Sequence, residues 1–171
     1  MAFRVLGRLF LCKMFCEHPF PDKILSSCTC IIESSGTRWG NYQRGRGQVD
    51  FIAHIRSSDG EIQTVERHLL EVKELAEQYG AKIGVPHIAG LAGLLHDLGK
   101  FTNEFRSYIL EAVNNPDSPP ARGSVDHSTA GGKLLYELFH LKDVTLHKGL
   151  VAEVVGNAII SHHSYLHDFL N

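Results

Sequence analysis

His68, the adjacent pair His96-Asp97, His127 and the adjacent pair His162-His163 are the residues whose types and spacing could hold metal ions. They belong to a chain with eleven histidines among 171 residues, and imidazole is both the commonest metal ligand and a frequent acid or base. Each alone has an ordinary explanation. His68 fits a hydrogen-bonded core residue, His96 a helix C-terminus facing the dipole, His127 a capping pair with Asp126, and His162-His163 a frayed helix end. Together they say more, because buried imidazoles need partners and one cluster supplies them all. Asp97 is the one carboxylate in the set, the group that can bridge two cations. Neighbours in a helix differ by about 100° around its axis, yet at a helix end both can turn to one point. So many imidazoles favour Fe, Mn, Ni or Co, with Mg as the alternative.

The elements that must position these residues are helical. Val49–Arg56 reads as an extended lead-in, and Ser57–Gly60 as a turn. A first helix is predicted over Thr64–Tyr79, capped by Thr64, with Val65, Leu69, Val72, Leu75 and Ala76 inward and His68 on the same face. A second starts at Pro86 and runs to Gly99, apolar nearly all round and therefore central, with His96 and Asp97 in its last turn. A third covers Thr102–Val113, with Phe105, Tyr108, Ile109 and Ala112 inward. Residues 114–124 form a loop. A fourth covers Ser128–His140 with His127 at its entrance. A fifth covers Leu150–His163, with Val151, Val154, Val155, Ala158 and Ile159 inward. No convincing sheet is seen. The fold class is all-α, a bundle of about five helices.

The array of His68, HDLGK (96–100), DHSTAGG (126–132) and SHHSYLHD (161–168) resembles the HD superfamily of metal-dependent phosphohydrolases. More narrowly it is similar to the HD nuclease domain of the type I CRISPR-associated helicase-nuclease. That narrower likeness includes FIAHIRSSDG (51–60), QTVERHLLEV (63–72), LAGLLHDLGKFTNEFRSYI (91–109) and the paired histidines before a Leu-x-Asp, and covers about residues 49–171. It implies an HD-domain helical bundle with two divalent metal ions. His68, His96 and Asp97 would hold the first ion. Asp97 would bridge to the second, held by His127, His162 and His163. Lys100 would face the scissile phosphate or steady Asp97, making Asp97 and Lys100 the catalytic candidates. The implied activity is metal-dependent cleavage of DNA, mainly single-stranded, in antiviral defence. The implied partners are a helicase domain or subunit and an RNA-guided CRISPR surveillance complex. Two rivals stand beside it: another HD phosphohydrolase acting on nucleotides or cyclic nucleotides, and an inactive fragment serving as a binding module.

The family pattern closes with a later Asp that completes the first metal site. Asp168 is not that ligand, and Asn171 follows shortly. The bundle is therefore expected to be C-terminally truncated, with its first site one carboxylate short and its activity weak or nil. At the other end, residues 1–48 are irregular and are expected to be upstream sequence, with the domain of residues 49–171 starting near Val49, a residue that a GUG start codon encodes. No apolar run is long enough for a membrane span, and Arg8 and Lys13 break any signal-peptide pattern. The four cysteines, Cys12, Cys16, Cys28 and Cys30, cluster near one end rather than spreading as a disulfide scaffold would, which fits a reducing cytoplasm. Their spacing is not that of a usual zinc site. A net charge of -2 proclaims no nucleic-acid binder. Arg38, Arg44 and Arg46 near Trp39 and Tyr42 read as a basic loop. His54 reads as structural, and His87, His140, His147 and His167 as surface or capping residues.

Overall fold

The computed structural model describes residues 51–141 and 145–164. The readings of residues 1–48, including the cysteines and the basic loop, lie outside the described residues, as do those of His167 and Asp168. Five α-helices and one short hairpin make up the described part. No helix among them is long and apolar enough to cross a membrane.

The hairpin pairs β1 (Ile52–Ile55) with β2 (Ile62–Thr64), antiparallel. Gly60 closes its turn at φ +74°, a left-handed conformation open to glycine, and Arg56 and Glu61 are bonded across it at 2.9 Å. This sheet departs from the sequence reading. The lead-in was foreseen but its partner was not, because three residues carry too little alternation to register as a strand. The ladder is irregular between Ile52 and His54. Strict alternation is lost there, and the consecutive Ile52 and Ala53 are both buried.

Helix α1 (Val65–Ala81) begins where expected: Thr64 accepts from the Arg67 amide, and Glu66 lies in the first turn. Val65 and Leu69 are fully buried. Leu75, expected inward, is instead half exposed, while the buried position on the neighbouring stripe is Lys73, whose ammonium reaches Glu77 at 2.9 Å. Helix α2 (Pro86–Leu95) packs along α1. It ends earlier than predicted. His96 keeps helical dihedrals as the C-cap, Asp97 leaves them (φ -112°, ψ 25°), and a 3-10 turn follows at Leu98–Lys100. The break frees Asp97 from the helical 100° offset to His96. Helix α3 (Asn103–Asn114) is capped by Thr102 and anchored by buried Phe105.

Helix α4 (Thr129–Phe139) is capped from outside: Asp126 accepts from the amides of Ser128 and Thr129, both at 3.2 Å. Helix α5 (Leu146–Ser161) starts four residues before the predicted Leu150, because Thr145 accepts from the Lys148 amide and caps it there. Its buried face is Ala152, Val155, Ile159 and Ser161, not the Val154 and Ala158 of the sequence reading. Aliphatic residues surround this helix, so periodicity could not choose the face. α4 packs along α5, and α2 meets α5. The core is Leu69, Leu94, Leu95, Leu98, Leu135, Val155 and Ile159, and both helix ends that carry paired site residues emerge beside it. Gly131 on α4 sits where a Cβ would overlap the Leu95 carbonyl, so α4 can approach the end of α2 closely.

Candidate metal centre

Asp97 is the hub. It is 3 % exposed, and its two carboxylate oxygens face different imidazoles. Oδ2 lies 3.0 Å from His68 Nε2, 3.2 Å from His96 Nε2 and 2.8 Å from Lys100 Nζ. Oδ1 lies 3.3 Å from His162 Nε2 and 3.8 Å from His127 Nε2. The imidazoles also meet one another: His68 Nε2 and His96 Nε2 are 3.2 Å apart, and His127 Nε2 and His163 Nε2 are 2.8 Å apart. All six sequence-chosen ligands thus converge, three helix ends and one helix face supplying them.

The tautomers are fixed by the backbone. His96 Nδ1 donates to Gly93 O at 2.7 Å, His127 Nδ1 to Val125 O at 3.0 Å, and His162 Nδ1 to Ile159 O at 2.6 Å. A carbonyl only accepts, so each Nδ1 carries the hydrogen and each Nε2 lone pair points inward. This is the outer arrangement that orients metal-ligating histidines. Gly99 secures His127 further: its amide donates to His127 O at 3.1 Å, and a Cβ on it would come 2.5 Å from His127 Cα.

The residues fit a cation. Ligands bound at about 2.0–2.2 Å to one ion stand about 3 Å apart in its coordination shell, as the atoms of His68, His96 and Asp97 Oδ2 do. Asp97 Oδ1 is buried with no hydrogen-bond partner, an orphaned acceptor facing His127 and His162. Three groups close enough to share an ion are His54-His68-Asp97, His96-Asp97-His162 and Asp97-His127-His163.

Burial opposes ionisation of Asp97, but the imidazoles of His162, His68 and His96 and the Lys100 ammonium outweigh it and hold the carboxyl far below the ordinary carboxylate range. The same contact with Asp97 raises His162, against its own burial. His163 is lowered by burial and by the neighbouring His162 and His127. His54 is lowered to about 4 by burial and then by Lys100.

Lys100 has its ammonium 2.8 Å from Asp97 Oδ2. His54 is the residue that sequence reasoning missed. Set aside as structural, it stands at the centre, its ring 4.8 Å from that of His68 and its Nε2 3.2 Å from Lys100 Nζ. The available signal was a histidine in an otherwise apolar strand. His140 is elsewhere, stacked on Tyr136 and 2.9 Å from Glu153. His87 and His147 are exposed on α2 and α5.

A family model described as the HD domain matches residues 65–168, which takes in all six ligand candidates and Lys100 but not His54. No curated protein and no solved structure matches the chain.

Proposed function

Because the chain belongs to the HD domain family, whose members are metal-dependent phosphohydrolases, we propose that it is a nuclease cutting DNA phosphodiesters, single-stranded by preference, in type I CRISPR defence. The observation that carries the hydrolytic part is the split of Asp97, with one oxygen toward His68 and His96 and the other toward His127 and His162. The nuclease part is supported by the segments at 51–60, 63–72 and 91–109 and by the paired His162-His163.

In this reading His68, His96 and Asp97 Oδ2 would hold one divalent ion, and His127, His162, His163 and Asp97 Oδ1 the other. When bound, two such ions supply the positive charge that clamps the attacking and leaving oxygens of a phosphoryl transfer and acidifies water. The chain's residues do the rest. Asp97 stays ionised and ties both halves of the centre together. His96, His127 and His162 are held by their Nδ1 bonds so that their lone pairs need no reorientation. Lys100 places a buried, fixed positive charge beside Oδ2, which favours an anion at the centre through space. His163 lies at the surface, so the rim of the centre is open to a polymer. A helicase domain or subunit and an RNA-guided surveillance complex are the partners this reading assigns.

The test is incubation with single-stranded DNA in the presence of Mn, Ni or Co, on a version extended through the next helix of the family pattern so that the first site gains its further carboxylate. Cleavage that Asp97→Ala abolishes is expected. Vigorous hydrolysis of free nucleotides with no attack on DNA would point instead to the other HD phosphohydrolases.

A further inference from the structure

Lys100 is a buried cation, 4 % exposed, and its three ammonium hydrogens face three acceptors. One is Asp97 Oδ2 at 2.8 Å. The other two come from β1: His54 Nε2 at 3.2 Å and Ala53 O at 3.5 Å. An ammonium only donates, so His54 must present an unprotonated Nε2, with its hydrogen on Nδ1. Both acceptors lie at the irregularity of β1, where Ala53 has no Cα partner across the ladder. The same imidazole lies edge-on to His68, its ring plane at 75°. One histidine therefore touches both a ligand candidate and the cation of the centre, from outside the stretch that the HD family model matches.

We infer that His54 is a positioning residue: it holds the Lys100 ammonium against Asp97 Oδ2 and so fixes where that positive charge stands, and the charge acts on a phosphate at the centre through space, since its three hydrogens are already taken. The inference rests on the phosphohydrolase reading above. A lysine stem of four carbons does not aim itself. With Asp97 alone, Nζ could swing about one contact; with His54 and Ala53 as well, it is fixed at three points. The rival role for His54 is direct metal ligation, since its ring nitrogen is within 4.8 Å of the ligating atoms of His68 and Asp97. The contact with Lys100 occupies the lone pair that ligation would need.

The test measures binding of inorganic phosphate to the Mn-loaded protein by calorimetry, with bound Mn counted on the same samples. The proteins are wild type, His54→Ala, His54→Gln, Lys100→Ala and the double variant His54→Ala/Lys100→Ala. Loss of a hydrogen bond to a charged group should weaken phosphate about tenfold in His54→Ala. Lys100→Ala should weaken it at least as much, and the double variant no further, because His54 acts through Lys100. His54→Gln should recover most of the loss, since its amide oxygen accepts, and the Mn count should stay unchanged throughout. If His54→Ala does not fold, His54→Met keeps the bulk without the acceptor and is read the same way. Loss of an ion in the His54 variants, additive losses in the double variant, or wild-type phosphate binding in His54→Ala would each overturn the inference. A wild type that binds Mn but no phosphate would bring down the phosphohydrolase reading itself, and this inference with it.

Discussion

His96 and His162 are the C-caps of two different helices, and each bonds through Nδ1 to the carbonyl three residues before it. Their rings then meet at 5.1 Å across Asp97. A helix C-terminus has under-bonded carbonyls; at Gly93 and Ile159 an imidazole hydrogen is accepted there, at Ile159 beside the amide of His162 itself. The cap therefore does two things: it closes the helix, and it fixes which nitrogen faces the centre. The packing of α2 against α5 brings two such ends together.

His162 makes this testable through pH. Its pKa is raised by Asp97, so in the metal-free protein its contribution to stability is fully present below the unfolded value of 6.5 and is lost as pH rises through the higher folded value. Metal binding runs the other way, because a ligating imidazole must be neutral. The Tm difference between wild type and His162→Gln should shrink from pH 6 to pH 8 in EDTA and grow over the same range in Mn. Parallel slopes in the two conditions would show that His162 does not exchange a proton for a metal ion.

The division of the centre into two halves predicts separable losses. His68→Ala leaves His96 and Asp97 Oδ2 on one side and does not touch His127, His162 or His163. His163→Ala does the reverse. By equilibrium dialysis, His68→Ala should remove the weaker ion, on the side that is one carboxylate short, and leave the tighter one, while His163→Ala should weaken the tighter ion and leave the weaker one as in wild type. Loss of both ions in either variant would mean that a single shared site spans Asp97.

Gly99 connects the two halves through the backbone. In Gly99→Ala the new Cβ would meet the Cα and carbonyl of His127, which are backbone atoms that cannot swing aside. Overpacking of this kind costs about 1–3 kcal/mol, and relief requires moving His127 away from Asp97. The expected result is a lower Tm together with weakened binding at the His127-His163 side. A variant with normal metal content and normal Tm would show that the loop before α4 yields without cost.

Part of this was legible in the sequence because helix starts announce themselves. Thr64, Pro86 and Thr102 are local signals that survive without tertiary context. The six ligand candidates could be grouped because imidazoles on apolar faces need partners. What failed depended on contacts distant in sequence. The buried face of α5 is chosen by α2 and α4, not by its own near-uniform apolar pattern. The short β2 exists because β1 lies beside it. The early end of α2 at Leu95 has no glycine or proline to mark it. The sequence reads His54 as structural for the same reason: its partner Lys100 is 46 positions away.

Asp97 and Lys100 together give the sharpest stability prediction. Both are buried, and Nζ lies 2.8 Å from Oδ2. Asp97→Asn keeps the shape of the side chain but removes its charge. In the metal-free protein the Lys100 ammonium then remains buried with only neutral acceptors: His54 Nε2, Ala53 O and the new amide oxygen. Breaking a buried ion pair from one side costs about 3–5 kcal/mol, chiefly because of the charge left behind. If that is the cause, removing the stranded charge should relieve it. Asp97→Asn/Lys100→Met should be more stable than Asp97→Asn in urea unfolding with EDTA present, even though it differs from wild type at more positions. Activity should not follow stability: both variants should show no cleavage above background, because neither restores the carboxylate that ties the two halves together. A double variant no more stable than Asp97→Asn would mean that Lys100 finds water or another partner once Asp97 is neutral, and that the buried pair does not govern the stability of the centre.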